Sequence, residues 1–332
     1  MARALSTDGS SYQLEIGKAL ELIRRSGAGR VGLQAPEGLK RLLPGLAETI
    51  RKETGATVTV SGDPCYGACD VDQELALEVD LLIHLGHAEL GEARDKVFFL
   101  EARMPVDLRE AVKRAVPMLA SRRVGVSTTV QHLHNLPDAL AALAEQGIEG
   151  LLGSPEGRLK YPGQVLGCCY SSAVSLNVEE HLFIGTGSFH PLGLALATGR
   201  RVVAADPVTG AVSEIDPQPM LRRRFAKIAR ARESRRFAVL VSKKPGQRRM
   251  ELARRLAEAG EARGLEMVLV YMDVIEPDRL LDLGVEAAVC TACPRIALDD
   301  ADRYSIPLLT PPEFEILLGE RQWEEYEFDE ME

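Results

Sequence analysis

The chain has 332 residues, more than a single hydrophobic core usually holds, so two or three domains are expected. Hydrophobic residues make up 45% of it and aromatics 5%, which suits a sheet-and-helix interior and disfavours a stacking platform for single-stranded nucleic acid. The net charge of −9 is opposite to the balance of a phosphate-neutralising surface, so no direct nucleic-acid partner is expected. Met1-Ala2-Arg3 lacks the apolar core of a secretory signal, and no run approaches the roughly 18 apolar residues of a spanning helix. The expectation is a cytoplasmic protein with no membrane partner. In a reducing compartment its six cysteines read as ligands, catalysts or buried core rather than disulfides.

After a polar leader, Ile16, Leu20 and Ile23 share one helical face, and Ser26-Gly27-Ala28-Gly29 ends that helix. A strand over 30–34 runs into Pro36-Glu37-Gly38, where Glu37 enters the next helix. Strands are predicted over 57–60, 81–83 and 97–100. The first is followed by the loop of Cys65 and Cys69, the second by His84 and His87, which read as strand-end histidines. The pattern restarts at 122–126, with a helix carrying Leu136, Leu140 and Leu143. Strands over 164–166, 182–184 and 202–205 follow, the first ending in Cys168-Cys169 and the second in Gly185-Thr186-Gly187-Ser188-Phe189-His190. A third start at 235–240 leads through a helix with Leu252, Leu256 and Ala259 to strands over 267–270, 287–289 and 307–309.

Strands alternating with amphipathic helices imply parallel sheets with helices on their faces, and ligands of such sheets gather beyond the strands' carboxyl ends. The fold class is therefore α/β, with three homologous small domains in pseudo-threefold arrangement around a central point. Their bounds are 1–118, 119–218 and 219–332, carrying the loops of Cys69, Cys168 and Cys293. Two charged stretches stand apart. Arg222, Arg223, Arg224, Lys227, Arg230, Arg232, Arg235 and Arg236 read as a solvated helix face that can meet a partner, and Glu324, Glu325, Glu327, Asp329, Glu330 and Glu332 as a frayed acidic terminus.

Three chemistries compete for the cysteines. Cys65, Cys69, Cys290 and Cys293 could close a tetrahedral zinc, but this leaves Cys168 and Cys169 unused. Buried structural thiols are the second reading. The third is an iron-sulfur cluster holding one cysteine from each domain, with one iron open to a substrate. The three-cysteine run of common radical enzymes is absent, because Asp72 stands where its last thiol would be.

The runs Tyr66-Gly67-Ala68-Cys69-Asp70-Val71-Asp72, Val165-Leu166-Gly167-Cys168 and Ala292-Cys293-Pro294-Arg295-Ile296-Ala297-Leu298-Asp299 resemble the three cluster motifs of the diphthamide biosynthesis family, the 2-(3-amino-3-carboxypropyl)histidine synthases, in its archaeal homodimeric form. Gln34-Ala35-Pro36-Glu37-Gly38-Leu39 and the run 185–190 extend the likeness, which spans all three domains in order. The resemblance implies a [4Fe-4S] enzyme with ligands Cys69, Cys168 and Cys293, while Cys65, Cys169 and Cys290 fall outside the matched positions. It also implies S-adenosylmethionine as cosubstrate, cleaved to methylthioadenosine and a 3-amino-3-carboxypropyl radical that is added to a histidine of elongation factor 2. A homodimer and an unidentified reductant complete the expected partners.

Candidate cosubstrate contacts are Gln34 through its amide, Gly185 and Gly187 through close backbone approach, Ser188, His190, and Arg295 through its planar fork. Each also has a plain structural reading as a turn, a cap or a surface charge. A quinolinate-synthase-like [4Fe-4S] dehydratase is the nearest alternative, and a zinc-stabilised protein-binding scaffold a more distant one.

Overall fold

The structure is a computed structural model that describes residues 3–7, 10–91 and 95–331, with side chains from residue 12 onward. Met1, Ala2 and Glu332, which belong to the predicted leader and acidic terminus, lie outside the described residues. The chain groups into two compact units: Met1–Val165 with Ser171–Gly187 and Val203–Ser213, and Leu166–Tyr170 with Ser188–Val202 and Glu214–Glu332.

In the first unit, one sheet has the order Thr57–Val60, Arg30–Gln34, Leu81–Leu85, Val97–Leu100, with every neighbouring pair parallel. Leu81–Leu85 is buried at each position, as an inner strand covered on both faces must be. Helices Ile16–Ser26 and Leu43–Thr54 set Ile16, Ala19, Ile23, Leu46 and Ile50 against Val31, Leu33 and Ile83. Within the polar leader, Arg3–Thr7 and Ser10–Leu14 pair antiparallel, and the latter pairs with Ala102–Arg103.

The second sheet has the order Val212–Glu214, Arg201–Ala205, Glu180–Ile184, Arg123–Thr128, Glu149–Leu151. Its strand Arg123–Thr128 is parallel to both neighbours. Leu108 and Val112 from helix Leu108–Ala115, and Ala139 and Leu143 from helix Leu136–Glu145, pack against Val124, Val126 and Leu182. The predicted strand 164–166 is corrected: it reduces to isolated bridges, a parallel one between Thr128 and Gln164 and an antiparallel one between Leu166 and Cys169. Ser172 Oγ donates to the Gln164 carbonyl at 2.7 Å, taking an acceptor that a ladder would need.

The second unit holds a parallel sheet in the order Glu266–Met272, Arg236–Ser242, Ala287–Cys290, Leu308–Leu309. Ile228, Leu256 and Phe314, from helices Gln218–Ala231, Met250–Ala262 and Pro311–Leu318, pack with Phe237 and Val289. Edge strand Glu266–Met272 leaves Val268, Leu269 and Tyr271 exposed.

Both charged stretches require correction. Arg224 is core: its Nε and Nη2 donate to Glu313 at 2.7 and 2.6 Å, and its other bonds go to the carbonyls of Ala297 and Leu308. Such a fork matches a carboxylate in two places, which lets a charge be buried at 1% exposure. The acidic terminus is not frayed either, for Phe328 is 4% exposed, Asp329 is buried and Met331 is 1% exposed. Apolar residues spaced among the acids draw that segment inward. The observed class is α/β, with several mainly parallel sheets flanked by helices.

Candidate functional site

The six cysteines fall into three pairs, and each pair divides in the same way. Cys69, Cys168 and Cys293 are partly exposed, whereas Cys65, Cys169 and Cys290 are buried. The backbone around each pair explains the division.

In the first unit, Gln34 and His84 are register partners at the carboxyl ends of adjacent parallel strands. The Gln34 amide suspends the Cys69 loop: Nε2 donates to the Asp70 carbonyl at 2.7 Å, and Oε1 accepts from the Asp72 amide at 3.0 Å. His84 Nδ1 lies 3.1 Å from the same Oε1, and since an amide oxygen only accepts, this nitrogen carries the proton. Asp70 accepts from the Tyr66 amide, and Asp72 caps helix Gln73–Glu78 through the Leu75 amide at 2.9 Å. Gly67 keeps bulk from the thiol, because a Cβ there would sit 3.3 Å from Cys69 Sγ. Cys65 points inward, with Sγ 3.9 Å from His84 Nε2.

In the second unit, Cys290 ends its strand in the core, where burial pushes its thiol up to about 12, so that it stays protonated at neutral pH. The chain then turns out of the sheet. Arg249 Nε donates to the Thr291 carbonyl at 2.7 Å and Nη2 to that of Ala292 at 3.2 Å, and the same guanidinium grips Asp329 at 2.7 and 2.6 Å. Cys293 precedes the short helix Pro294–Leu298. The terminal segment that Arg249 anchors also holds the Cys168 loop. Met331 N–H donates to the Cys168 carbonyl at 2.7 Å, Glu330 accepts from the Tyr170 amide at 3.1 Å, and Phe328 meets the Tyr170 ring edge-on at 5.4 Å.

Arg295 lies over the Phe189 ring at 4.1 Å and donates through Nε to Asp299 at 2.8 Å, with its terminal nitrogens outside that bond. Gly167 is required at this junction, since a Cβ there would come within 2.5 Å of Phe189 and 3.3 Å of Arg295. The Cys168 loop, the start of helix Phe189–Thr198 and the Cys293 segment therefore meet inside one unit. Beside them a cavity of about 350 Å³ is lined by Ser188, Phe189, Leu192, Arg223, Lys227 and Asp299.

The remaining predicted contacts lie where the strand ending in Ile184 passes into that helix. Gly185 N–H donates to the Ala205 carbonyl at 3.0 Å, and Gly187, at φ 78°, occupies the left-handed region that a side chain resists. Ser188 is exposed at the helix start. His190 is partly buried; burial, aided by the Arg295 charge, lowers it to about 4, so its imidazole is neutral at pH 7.

Residues 35–327 match the diphthamide synthesis protein family. The chain belongs to that family. It is 42% identical to the 2-(3-amino-3-carboxypropyl)histidine synthase of Pyrococcus horikoshii over 96% of this chain and 94% of that protein. It is also 30% identical to subunit 1 of the human synthase, over 95% of this chain and 74% of that protein. A crystal structure of Dph2 from Pyrococcus horikoshii with a 4Fe-4S cluster superposes with a TM-score of 0.91 at 40% identity, covering 99% of this chain and 95% of that one. The chain is thus an enzyme of the diphthamide synthesis family, which sets aside the quinolinate-type dehydratase and the zinc scaffold.

The residues fit the group that the Dph2 structure carries. Soft thiol donors suit iron-sulfur chemistry, and Gly67 keeps side-chain bulk from the Cys69 thiol. Sequence reasoning missed the braces of these loops, namely Arg249, Asp329, Glu330 and Met331. The available signal was Phe328 and Met331 within an acidic run, an apolar spacing that a solvated tail does not need.

Proposed function

We propose that this enzyme performs the first step of diphthamide biosynthesis. It moves the 3-amino-3-carboxypropyl group of S-adenosylmethionine to an imidazole carbon of one histidine in elongation factor 2 and releases methylthioadenosine. We assign Cys69, Cys168 and Cys293 as the ligands of a [4Fe-4S] cluster. The observation that carries this reading is the division of every cysteine pair into a partly exposed thiol, at the position matching the family motif, and a buried one. The identity to the Pyrococcus horikoshii synthase and the cluster in the Dph2 structure support it.

When bound, a cluster with three protein thiolates supplies one electron to a sulfonium at its open iron. The chain's own task is to decide which carbon-sulfur bond is aligned for cleavage, a matter of positioning. Arg295, steadied by Phe189 and Asp299, offers its terminal nitrogens to the cosubstrate carboxylate. Gly185 and Gly187 allow close backbone approach, Ser188 offers a hydroxyl, and neutral His190 can donate or accept without adding charge. Gln34 acts through the loop it suspends. The electron supplied at cleavage leaves again when the imidazole adduct loses a proton and an electron, so the transfer is redox-neutral overall.

The three α/β repeats 1–118, 119–218 and 219–332, in pseudo-threefold arrangement, are the architecture proposed for presenting one thiol each. A homodimer is part of the same reading, for which the exposed edge strand Glu266–Met272 is the candidate contact. Arg223 and Lys227 are candidates for meeting elongation factor 2, and a cytoplasmic setting with a separate reductant follows from the chemistry. Among the described residues no helix is long and apolar enough to cross a membrane.

The test is anaerobic incubation of reduced enzyme with labelled S-adenosylmethionine and elongation factor 2. Methylthioadenosine and a labelled histidine on the mapped protein are expected. If 5′-deoxyadenosine were the sole cleavage product, the proposal would fail.

A further inference from the structure

We propose that Cys65, His84 and His87 form a binding site for a zinc-type divalent cation, separate from the thiols assigned to the iron-sulfur cluster. Cys65 Sγ, His84 Nε2 and a ring nitrogen of His87 all lie within 4.8 Å of one another. His84 Nε2 is 2.9 Å from His87 Nδ1 and 3.9 Å from Cys65 Sγ. In a tetrahedron with Zn–N near 2.0–2.1 Å and Zn–S near 2.3 Å, the N···N edge comes to about 3.4 Å and the N···S edge to about 3.6 Å. Both observed edges are within about half an ångström of these values, the N···N edge having to widen and the N···S edge to shorten, which side-chain rotation supplies.

His84 is already in the tautomer of a ligand, and His87 reaches that state by giving up the Nδ1 proton it shares with His84. Gln34 Oε1 occupies the Nδ1–H of His84, which leaves the Nε2 lone pair directed at the other two groups. Metal-binding histidines are oriented in this way by an acceptor on their second nitrogen. Gln34 is itself fixed by the Asp70 carbonyl and the Asp72 amide, so the orientation is rigid. His84 is next to last in an inner strand and lies against the Phe99 ring in a tilted contact, with centroids 4.9 Å apart, and Cys65 is buried in the adjoining loop. His87 is only partly buried, which gives an entry path.

One thiolate and two imidazoles are borderline-soft donors, which select zinc-like ions over magnesium or calcium. With three protein ligands, the fourth vertex is left to water. Such an ion would staple the loop of residues 61–72 to the end of strand Leu81–Leu85, and so steady the neighbouring Cys69. The competing arrangement is a metal-free hydrogen bond between the two imidazoles beside a thiol.

Zinc content separates the two. Full-length enzyme, purified anaerobically with its iron, is given one equivalent of zinc and desalted; metals are then counted by mass spectrometry, and the zinc K-edge absorption spectrum is recorded. About one retained zinc per chain is expected, with one sulfur at about 2.3 Å and two imidazole nitrogens at about 2.0 Å. His87→Gln and Cys65→Ala should each abolish retention without lowering the iron content, and Gln34→Leu should weaken zinc affinity by about 10–100-fold. No retained zinc in the unaltered enzyme overturns the proposal. So does a spectrum of three or four sulfurs without imidazole, which places the ion on the cluster thiols, or full retention by His87→Gln, whose partly exposed site tolerates the change.

Discussion

In the first unit, the Cys69 loop hangs from the neutral amide of Gln34 and from Asp72 at the head of a helix, all within reach of one sheet edge. In the second, the loops of Cys168 and Cys293 are tied to a charged pair, Arg249 with Asp329, and to the last residues of the chain. The neutral brace joins groups about 36 residues apart, whereas the charged one joins Arg249 to a segment 80 residues later and Tyr170 to one 160 residues later. The Cys168 loop is therefore held directly by the end of the chain, and the Cys293 segment through Arg249, which the same end grips. The two braces also fail differently. A lost neutral hydrogen bond leaves a polar group unpaired, while a broken buried ion pair leaves a charge.

Arg249→Met tests that difference at its largest. It strands the Asp329 carboxylate and removes the donors to the Thr291 and Ala292 carbonyls, so urea unfolding should report a loss of about 3–5 kcal/mol. Iron per chain after anaerobic reconstitution should fall with it, and Arg249→Lys should recover only part, since an ammonium cannot fork. Gln34→Leu is the matched insult in the first unit. It leaves the Asp70 carbonyl and the Asp72 amide without the amide that joins them, at about 1–3 kcal/mol. If the two losses were equal, the contrast between charged and neutral braces would collapse.

The first unit has a second weakness, to acid. His132 is 1% exposed, and burial, with the nearby His134 adding to it and Asp206 opposing, lowers it to about 4. The folded state therefore takes up its proton later than the unfolded chain, whose histidines titrate near 6.5. Stability from this group is complete above pH 6.5 and drains away as pH falls toward 4, by about 3 kcal/mol at most. Thermal melts across that window should show the slope, and His132→Gln should make it shallower, with His87 and His190, also lowered to about 4 by burial, supplying the remainder.

How much of this was legible in the sequence depended on how local the cause was. Strands Arg30–Gln34, Thr57–Val60 and Val97–Leu100 were read to the residue, because hydrophobic runs with Gly and Pro at their ends are local signals. The cysteine loops were legible too, since thiols between turn residues announce themselves. The buried Arg224 was not, because the partner that makes it a core residue lies at Glu313. Nor was the docked terminus: an acidic composition reads as solvated until Arg249 and Tyr170 are placed beside it. Gln34 was read as a ligand contact from its motif, while its bonds to Asp70, Asp72 and His84 needed the register of two parallel strands.

The smallest expected effect belongs to the buried member of each thiol pair in the second unit, and it sharpens the comparison most finely. Cys169 and Cys290 face the interior, and Cys290 is held as a protonated thiol. Truncating either to Ala removes one sulfur from a packed wall, at about 1 kcal/mol. Iron per chain and the brown absorption of the reconstituted enzyme should stay at the level of the unaltered chain. The same truncation at Cys168 or Cys293 should lower both while costing less stability, since those side chains are partly exposed and little packing is lost. Loss of iron in Cys290→Ala, with retention in Cys293→Ala, would move the ligand inward by one strand end. The Arg249 brace would then be positioning the wrong sulfur.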